Sequence, residues 1–349
     1  MKKIVVDCER MKHKYTGLYS FCKQLSIGLI KIKHPDEQLN FYVPENETGF
    51  AGDTVGYIKQ HSWQKFYLPG LSKYDVWHST YQMSDYYPPR HKTKIVLTIH
   101  DLNFLHLGKS ASKQKRYLQK VQQKIKQADI IVANSHFVRK EIEANLNTYN
   151  KPMPTIYSGS ITLQNIIDKK PDFADGKPFF FSVGTIARKK NFHVLPALLQ
   201  SNDLKLIIAG AIHEEEYKNK IIETAKQLGV EDRVILPGAV SEEEKYWLIK
   251  NCTLFCFPSI AEGYGLPVIE AMHFGKPCIL STYTSLPEVG GPHAFYMQSF
   301  DPDYLKKLSA EVLQQIGLQD NTNELKAWAS QFSWDKTAEQ YMEVYRSVY

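Results

Sequence analysis

Residues 254–272 read LFCFPSIAEGYGLPVIEAM. The β-rich run Leu254–Pro258 ends at Pro258, a turn containing Gly263 and Gly265 follows, and an apolar helix opens at about Pro267. Proline suits the first turn of a helix, where its missing N–H would have had no intrahelical partner. Strand, glycine turn and helix in that order are half of a βαβ unit, from which parallel sheets covered on both faces are built. The glycines let the backbone approach a ligand closely, and the N–H groups of a helix N-terminus suit an anion. Glu262 sits in the turn and Glu270 about one turn into the helix. Two carboxylates so placed can bind several sugar hydroxyls or stabilise positive charge developing at an anomeric carbon. Either glutamate alone is better explained by the helix dipole or an exposed helix face; the segment as a whole is not. The spacing Gly263-x-Gly265-x-x-Val268 falls short of a dinucleotide fingerprint, because Val268 replaces the third glycine and Pro267 intrudes.

The same rhythm extends outward along the chain. Short β-rich runs occur at Lys3–Asp7, Asp75–Ser79, Lys94–His100, Asp129–Ser135, Phe179–Gly184, Leu204–Gly210, Val234–Pro237 and Cys278–Ser281. Helical periodicity lies between several of them: Ala111–Ala128 sets Tyr117, Leu118, Val121, Ile125 and Ala128 on one face, and Glu214–Leu228 is a second such stretch. At 349 residues the chain exceeds one ordinary core. The expected fold class is therefore α/β, with two Rossmann-like doubly wound domains. A stretch rich in Asp, Lys, Pro and Gly interrupts the rhythm near residue 170, which sets a first domain at 1–165, a linker at 166–177 and a second domain at 178–330.

Ligands of such sheets bind beyond the carboxyl ends of the strands. After Phe179–Gly184 come Arg188, Lys189 and Lys190, three consecutive cations suited to a diphosphate whose charge grows as a glycosidic bond breaks. The run Lys94–His100 ends on His100 beside Asp101, and a carboxylate neighbour can hold a histidine in the tautomer that donates to substrate. A lone buried histidine is more often structural. The twelve histidines include no His-x3-His or similar cluster, so no metal site and no metal cofactor are expected.

Five cysteines, of which Cys252 and Cys256 lie in an apolar run, read as buried thiols in a reducing cytoplasm. No apolar run approaches the ~18–20 residues that span a bilayer, and Ile4-Val5-Val6 is too short for a signal-peptide core. Residues 1–170 carry 26 Lys/Arg against 14 Asp/Glu, a balance of +12; residues 171–349 carry 17 against 23, or −6; together they make +6. A basic half suits an anionic partner, such as an acidic membrane surface, a lipid pyrophosphate or a nucleic acid. A merely solvated surface explains it equally well, and no basic-aromatic module supports nucleic acid. The stretch Ala111–Ala128, with Lys113, Lys115, Arg116, Lys120, Lys124 and Lys126, is the candidate contact with an anionic membrane.

These segments, in this order, resemble the GT-B fold retaining glycosyltransferases of family 4. That family carries a Glu-x7-Glu motif in a Glu-Gly-Phe-Gly-Leu-Pro-x-x-Glu-Ala-Met context; here it runs from Glu262 to Glu270 with Tyr264 for Phe. Gly275-Lys276-Pro277, Ser285 through Gly291, and Phe332-Ser333-Trp334 resemble its continuation. The resemblance implies two domains facing each other across a cleft, with a terminal helix at 331–349 that crosses back to the first. It also implies that Glu270 binds the donor ribose hydroxyls, that Glu262 sits at the sugar, and that the N–H groups of Gly263, Tyr264, Gly265 and Leu266 meet sugar and phosphate oxygens. Gly17 resembles the first-domain glycine loop facing the donor diphosphate, with one glycine where many relatives have two. His100 would contact the donor sugar. Relatives read Gly-Thr-x-x-Pro-Arg-Lys-Asn where this chain reads Gly184-Thr185-Ile186-Ala187-Arg188-Lys189-Lys190-Asn191. Lys190 thus takes the Lys position, and Lys189 keeps the Arg charge without its planar fork.

The implied reaction is retaining transfer of a hexose from a nucleotide sugar, GDP-mannose before UDP-sugars, to a glycan or lipid-linked acceptor in surface polysaccharide synthesis. Lys190, with Lys189 or Arg188, would stabilise the leaving diphosphate without a metal, at the cytoplasmic face of a membrane. The alternatives are another GT-B activity such as an epimerase, or an inactive sugar-nucleotide-binding subunit.

Overall fold

The computed structural model describes all residues except 15, 69, 89–91 and 161–165. The chain divides into two compact units, residues 1–159 with 332–349, and residues 160–331. In the first, six parallel strands form one sheet: β1 (Lys2–Asp7), β2 (Glu37–Val43), β3 (Gly56–Lys59), β4 (Val76–Ser79), β5 (Lys94–Ile99) and β6 (Ile130–Ala133). Their order is β3-β2-β1-β4-β5-β6; α1 (Gly17–Ile32) connects β1 to β2, α2 (Ala111–Gln127) connects β5 to β6, and α3 (His136–Asn145) follows β6. The second unit repeats the plan with β7 (Phe179–Val183), β8 (Lys205–Ala209), β9 (Val234–Gly238), β10 (Leu254–Phe257), β11 (Cys278–Ser281) and β12 (Phe295–Met297), ordered β12-β11-β10-β7-β8-β9. Its helices are α4 (Glu215–Gln227), α5 (Glu242–Asn251), α6 (Leu266–His273), α7 (Leu286–Gly290), α8 (Pro302–Leu318) and α9 (Thr322–Ala329).

Both units are doubly wound, as the alternation of runs predicts. Every strand run read from the sequence is present; most are blocks of apolar residues buried from both sides, such as Phe180, Leu206, Leu254 and Ile279 in the second core, while β9 is a half-buried edge strand. Three strands escaped that reading. β2 mixes Glu37, Gln38 and Asn40 with its apolar residues, while β3 and β12 are only four and three residues long. Among the described residues, no helix is long and apolar enough to cross a membrane.

The boundary differs from the one expected. Residues 166–177 are no free tether: Asp168 pairs with Lys250 at 2.9 Å, the Lys169 N–H donates to the Glu243 carbonyl, and Asp175 pairs with Lys205 at 2.5 Å. Each tie is to the second unit. The expected edge at residue 165 lies outside the described residues.

The last helix, α10 (Trp334–Arg346), packs along α1 in the first unit. It contributes Tyr341, Met342 and Tyr345 to that core. A buried polar chain fixes its register: the Tyr345 hydroxyl lies 2.6 Å from His78 Nδ1, His78 Nε2 lies 2.8 Å from Thr98 Oγ1, and Thr98 Oγ1 lies 2.8 Å from the Tyr341 hydroxyl. Arg346 grips both carboxylate oxygens of Glu37, at 2.7 and 3.0 Å. The helices approach closely at Gly28, where a Cβ would lie 2.7 Å from the Ala338 Cβ and 3.2 Å from the Trp334 carbonyl oxygen. Alanine in place of an interior helix glycine gains about 1 kcal/mol intrinsically. Overpacking of this kind costs about 1–3 kcal/mol, so Gly28→Ala is expected to be neutral to destabilising; urea unfolding that shows it clearly stabilised would contradict this packing.

Candidate functional site

In the second sheet the strand order reverses between β7 and β10, and the loops leaving those two strands flank the crevice where doubly wound sheets take ligands. The loop after β7 carries the cations. Gly184 has φ +151, and a Cβ there would come 3.1 Å from the Lys190 Cε, so glycine leaves room for that side chain. Residues Arg188–Lys190 form a short 3₁₀ turn ended by Asn191 at φ +54. The loop after β10 is joined to it through the backbone: Ile260 N–H donates to the Lys189 carbonyl at 2.9 Å, and Ser259 Oγ lies 3.0 Å from the same oxygen.

The charged pair at this junction joins Lys190 and Glu262. Lys190 Nζ donates to Glu262 Oε1 at 2.5 Å, and Ser259 Oγ lies 2.6 Å from that oxygen. The ammonium also lies 4.8 Å from the centre of the Phe257 ring. Burial by itself would raise the Glu262 carboxyl, but the Lys190 charge, helped by the hydrogen bonds and by Lys189, holds it below the usual carboxylate value. Glu262 is therefore an anion at neutral pH. Its N–H donates to Thr284 Oγ1 at 3.1 Å, and Ser285 Oγ donates to the Tyr264 carbonyl at 2.8 Å. Tyr264 is buried, which leaves its backbone as the part a ligand could reach. Gly265, at φ +115, turns the chain into α6, which begins at Leu266.

Glu270 lies on α6 with its carboxylate 3.2 Å from Lys245 Nζ of α5. Burial pushes the Glu270 carboxyl up. Burial also works against the Lys245 charge, but Glu270 and Glu242 outweigh it and hold its proton firmly. Arg188 does not join Lys190 as the sequence suggested. It is exposed, with Nε 3.3 Å from Glu214 and a terminal nitrogen 3.4 Å from Glu216. A 3₁₀ turn has about three residues per turn, so consecutive side chains diverge by roughly 120°. Lys189, between them, is half-buried. Sequence reasoning missed Lys245, Ser259 and Thr284, and named Ser285 only as part of the motif continuation. Lys245 lies 25 positions from Glu270 on another helix, and only the polar residue directly after a strand marks Ser259.

In the first unit, His100 follows β5. Its Nε2 lies 2.8 Å from the Thr80 carbonyl, its N–H donates to Gln82 Oε1 at 3.1 Å, and the Phe21 ring meets it edge-on at 4.7 Å. A carbonyl only accepts, so Nε2 carries the proton and Nδ1 is the lone-pair acceptor. The neighbouring carboxylate does not set this tautomer, contrary to expectation: Asp101 Oδ1 accepts from the Asn103 N–H at 3.0 Å. Burial lowers His100 to about 4, so the ring is neutral at physiological pH. Near the reversal point of the first sheet, burial also pushes the Asp7 carboxyl up to about 8. Gly17 is the first residue of α1, behind the Thr16 cap, rather than part of an extended glycine loop; a Cβ there would meet nothing within 4 Å. Among the described residues, no group of three or more His, Cys, Asp or Glu is assembled to hold a metal ion.

Residues 164–326 match the family described as Glycosyl transferases group 1, and residues 52–160 match Glycosyltransferase Family 4. This chain belongs to the family 4 glycosyltransferases. The glycosyltransferase is 27% identical over 295 residues to O-antigen chain mannosyltransferase B of Escherichia coli, covering 76% of this chain and 74% of that relative. Its fold is similar to sucrose-phosphate synthase from Thermosynechococcus elongatus, with a TM-score of 0.76 at 16% identity over 100% of this chain and 99% of that one. It is also similar to Anabaena HepE in complex with UDP and glucose, with a TM-score of 0.73 at 17% identity over 99% and 100% of the two chains. The fold is thus GT-B.

The neutral His100 has a pH signature. Its folded value lies below the ordinary 6.5, so the unfolded chain binds the extra proton first as pH falls. Its contribution to stability is complete above about pH 6.5 and is lost between about 6.5 and 4, by about 1.4 kcal/mol per pH unit. Urea unfolding of the His100→Asn variant should show a correspondingly shallower acid slope. An imidazole NMR titration with its midpoint near 6.5 would contradict the buried, neutral ring.

Proposed function

We propose that this glycosyltransferase moves a hexose, with retention of anomeric configuration, from a nucleotide sugar to a glycan or lipid-linked acceptor in surface polysaccharide synthesis. The observation that carries this reading is the Lys190–Glu262 pair at the reversal point of the second sheet. An ammonium has three N–H donors, so Lys190 can keep Glu262 on one and offer the others to the donor diphosphate. Lys189 adds a second positive charge as the leaving group takes up electrons. In this reading the cations do the work of a divalent metal, and none is required.

The remaining roles follow from what each side chain has to offer. Glu262, ionised beside the β10 loop, accepts from sugar hydroxyls and stabilises positive charge at the anomeric carbon. Glu270, held by Lys245, accepts from the ribose hydroxyls. The N–H groups around Gly263–Leu266, at the start of α6, suit the phosphate and sugar oxygens. Gly17, at the N-terminus of α1, leaves space for phosphate to come close. His100 accepts a sugar hydroxyl through Nδ1. The acceptor oxygen bonds to the anomeric carbon on the face the phosphate leaves, and the acceptor proton passes to a departing phosphate oxygen. GDP-mannose is the preferred donor, on the likeness to an O-antigen mannosyltransferase. A UDP-sugar is next, on the likeness to a UDP-bound fold relative.

Turnover of a small nucleotide-sugar panel, with the product linkage read by NMR, tests this. Lys190→Ala is expected to lower kcat by about 10²–10³-fold, and the product should keep the donor's anomeric configuration. Removing one partner of a buried ion pair also destabilises, by about 3–5 kcal/mol, so Gly17→Ala supplies a control in which added bulk meets no protein atom. It should raise the donor KM without moving Tm. Near-normal turnover by Lys190→Ala, inversion of configuration, or abolition of activity by a chelator would each count against the mechanism.

A further inference from the structure

The stretch between β3 and β4 presents aromatic residues to solvent from a fixed backbone. Gln64 is buried, and its Oε1 accepts from the His61 N–H at 2.6 Å and from the Tyr42 hydroxyl at 2.7 Å. Leu68 and Leu71 are buried in a cluster with Tyr42, Trp77 and Tyr86. Despite these anchors, Trp63, Phe66 and Tyr67 are 52%, 92% and 66% exposed. A segment that buries its leucines and leaves three of its largest apolar side chains outside is an unusual use of apolar surface.

Cations adjoin Phe66. It lines a cavity of about 380 Å³ together with Asp85 and with Lys120, Gln123, Lys124 and Gln127 of α2. Residues three, four and seven apart share a helix face. Lys113 and Arg116 therefore continue the Lys120 stripe along α2, whereas Lys115 and Lys126 fall on the far flank of the buried Val121–Ile125 face. Lys113, Arg116 and Lys120 are exposed, and none pairs with a carboxylate among the described residues. From 61 to 127 the sequence holds twelve Lys/Arg, three Asp and no Glu. Exposed Trp, Phe and Tyr rimmed by unpaired cations match the layered chemistry of an anionic bilayer, with acyl boundary beneath and negative headgroups above.

We propose that this face, Trp63, Phe66 and Tyr67 with the Lys113–Arg116–Lys120 stripe, docks onto an anionic lipid bilayer with the aromatics entering the interfacial layer. The inference rests on the acceptor being membrane-borne, and it adds the aromatic segment that would hold the enzyme there. Its test is flotation of the full chain with equimolar phosphatidylglycerol–phosphatidylcholine vesicles and with phosphatidylcholine vesicles, at low and high salt. The chain should float with the anionic vesicles, less so at high salt, and hardly at all with the zwitterionic ones. Lys113→Gln/Arg116→Gln/Lys120→Gln should weaken binding by about a hundredfold. Trp63→Ser/Phe66→Ser/Tyr67→Ser should weaken it by about tenfold or more, with Tm and nucleotide-sugar turnover in solution unchanged. Absence of binding to anionic vesicles at low salt overturns the proposal. So does an aromatic variant that binds like the parent, since charge alone would then explain the attraction, and so does full displacement by a soluble acidic protein that leaves the aromatic variant unaffected. The readout needs no catalysis, so a chain that binds vesicles but turns over no donor would sink the enzymatic reading and leave the docking surface standing.

Discussion

The second unit's chemistry depends on one buried ion pair, Lys190 with Glu262. Charges taken out of water lose hydration, and a pair recovers that loss only with close geometry and further hydrogen bonds. Both are present: a 2.5 Å contact, Ser259 on the carboxylate, and the Phe257 ring beneath the ammonium. Because Lys190 leaves the β7 loop and Glu262 the β10 loop, the pair draws the two loops together where the strand order reverses. Backbone bonds to the Lys189 carbonyl fix the same junction independently of charge. A cation and a carboxylate are thereby preset in one place, and preset charges need no reorganisation when charge develops beside them.

The first unit has the same strand order but a different kind of interior at its reversal point. Burial there shifts several groups towards their neutral forms: His100 is lowered to about 4, His78 to about 3, and Asp7 is raised to about 8. Neutral groups tolerate burial without a counter-charge provided they are hydrogen-bonded. Thr80, Thr98, Ser84 and the terminal-helix tyrosines supply those bonds. On the surface of this unit, α2 bears lysines and arginine around a buried apolar face. The same fold thus hosts a buried Lys–Glu pair at the reversal point of one unit and burial-neutralised histidines in the other. The difference lies in a handful of residues at strand ends, which is where doubly wound folds vary without cost to their cores.

The fold could be read from local pattern. Fully buried parallel strands must be nearly continuous apolar runs, and the helices between them must repeat every 3.6 residues, so both periods are written into neighbouring residues. The Glu262–Glu270 segment, the cation turn at 188–190 and His100 could likewise be located, because strand ends are where such sheets bind ligands. Strands β2, β3 and β12 could not: their residues are mixed or too few, and their pairing comes from partners already in place.

Which side chains meet was decided only in three dimensions. Three cations in a row look equivalent in sequence, yet a tight turn sends Arg188 to Glu214 and Lys190 to Glu262. Lys245 reaches Glu270 from another helix, and Thr80, twenty residues away on the neighbouring strand's loop, sets the His100 tautomer in place of adjacent Asp101. The sequence by itself determined most of the elements and the family, since periodicity and motif are properties of neighbouring residues. The tertiary structure alone decided which charges are paired, which histidine nitrogen carries the proton and which aromatics stay outside, because contact, burial and desolvation arise only when distant segments pack.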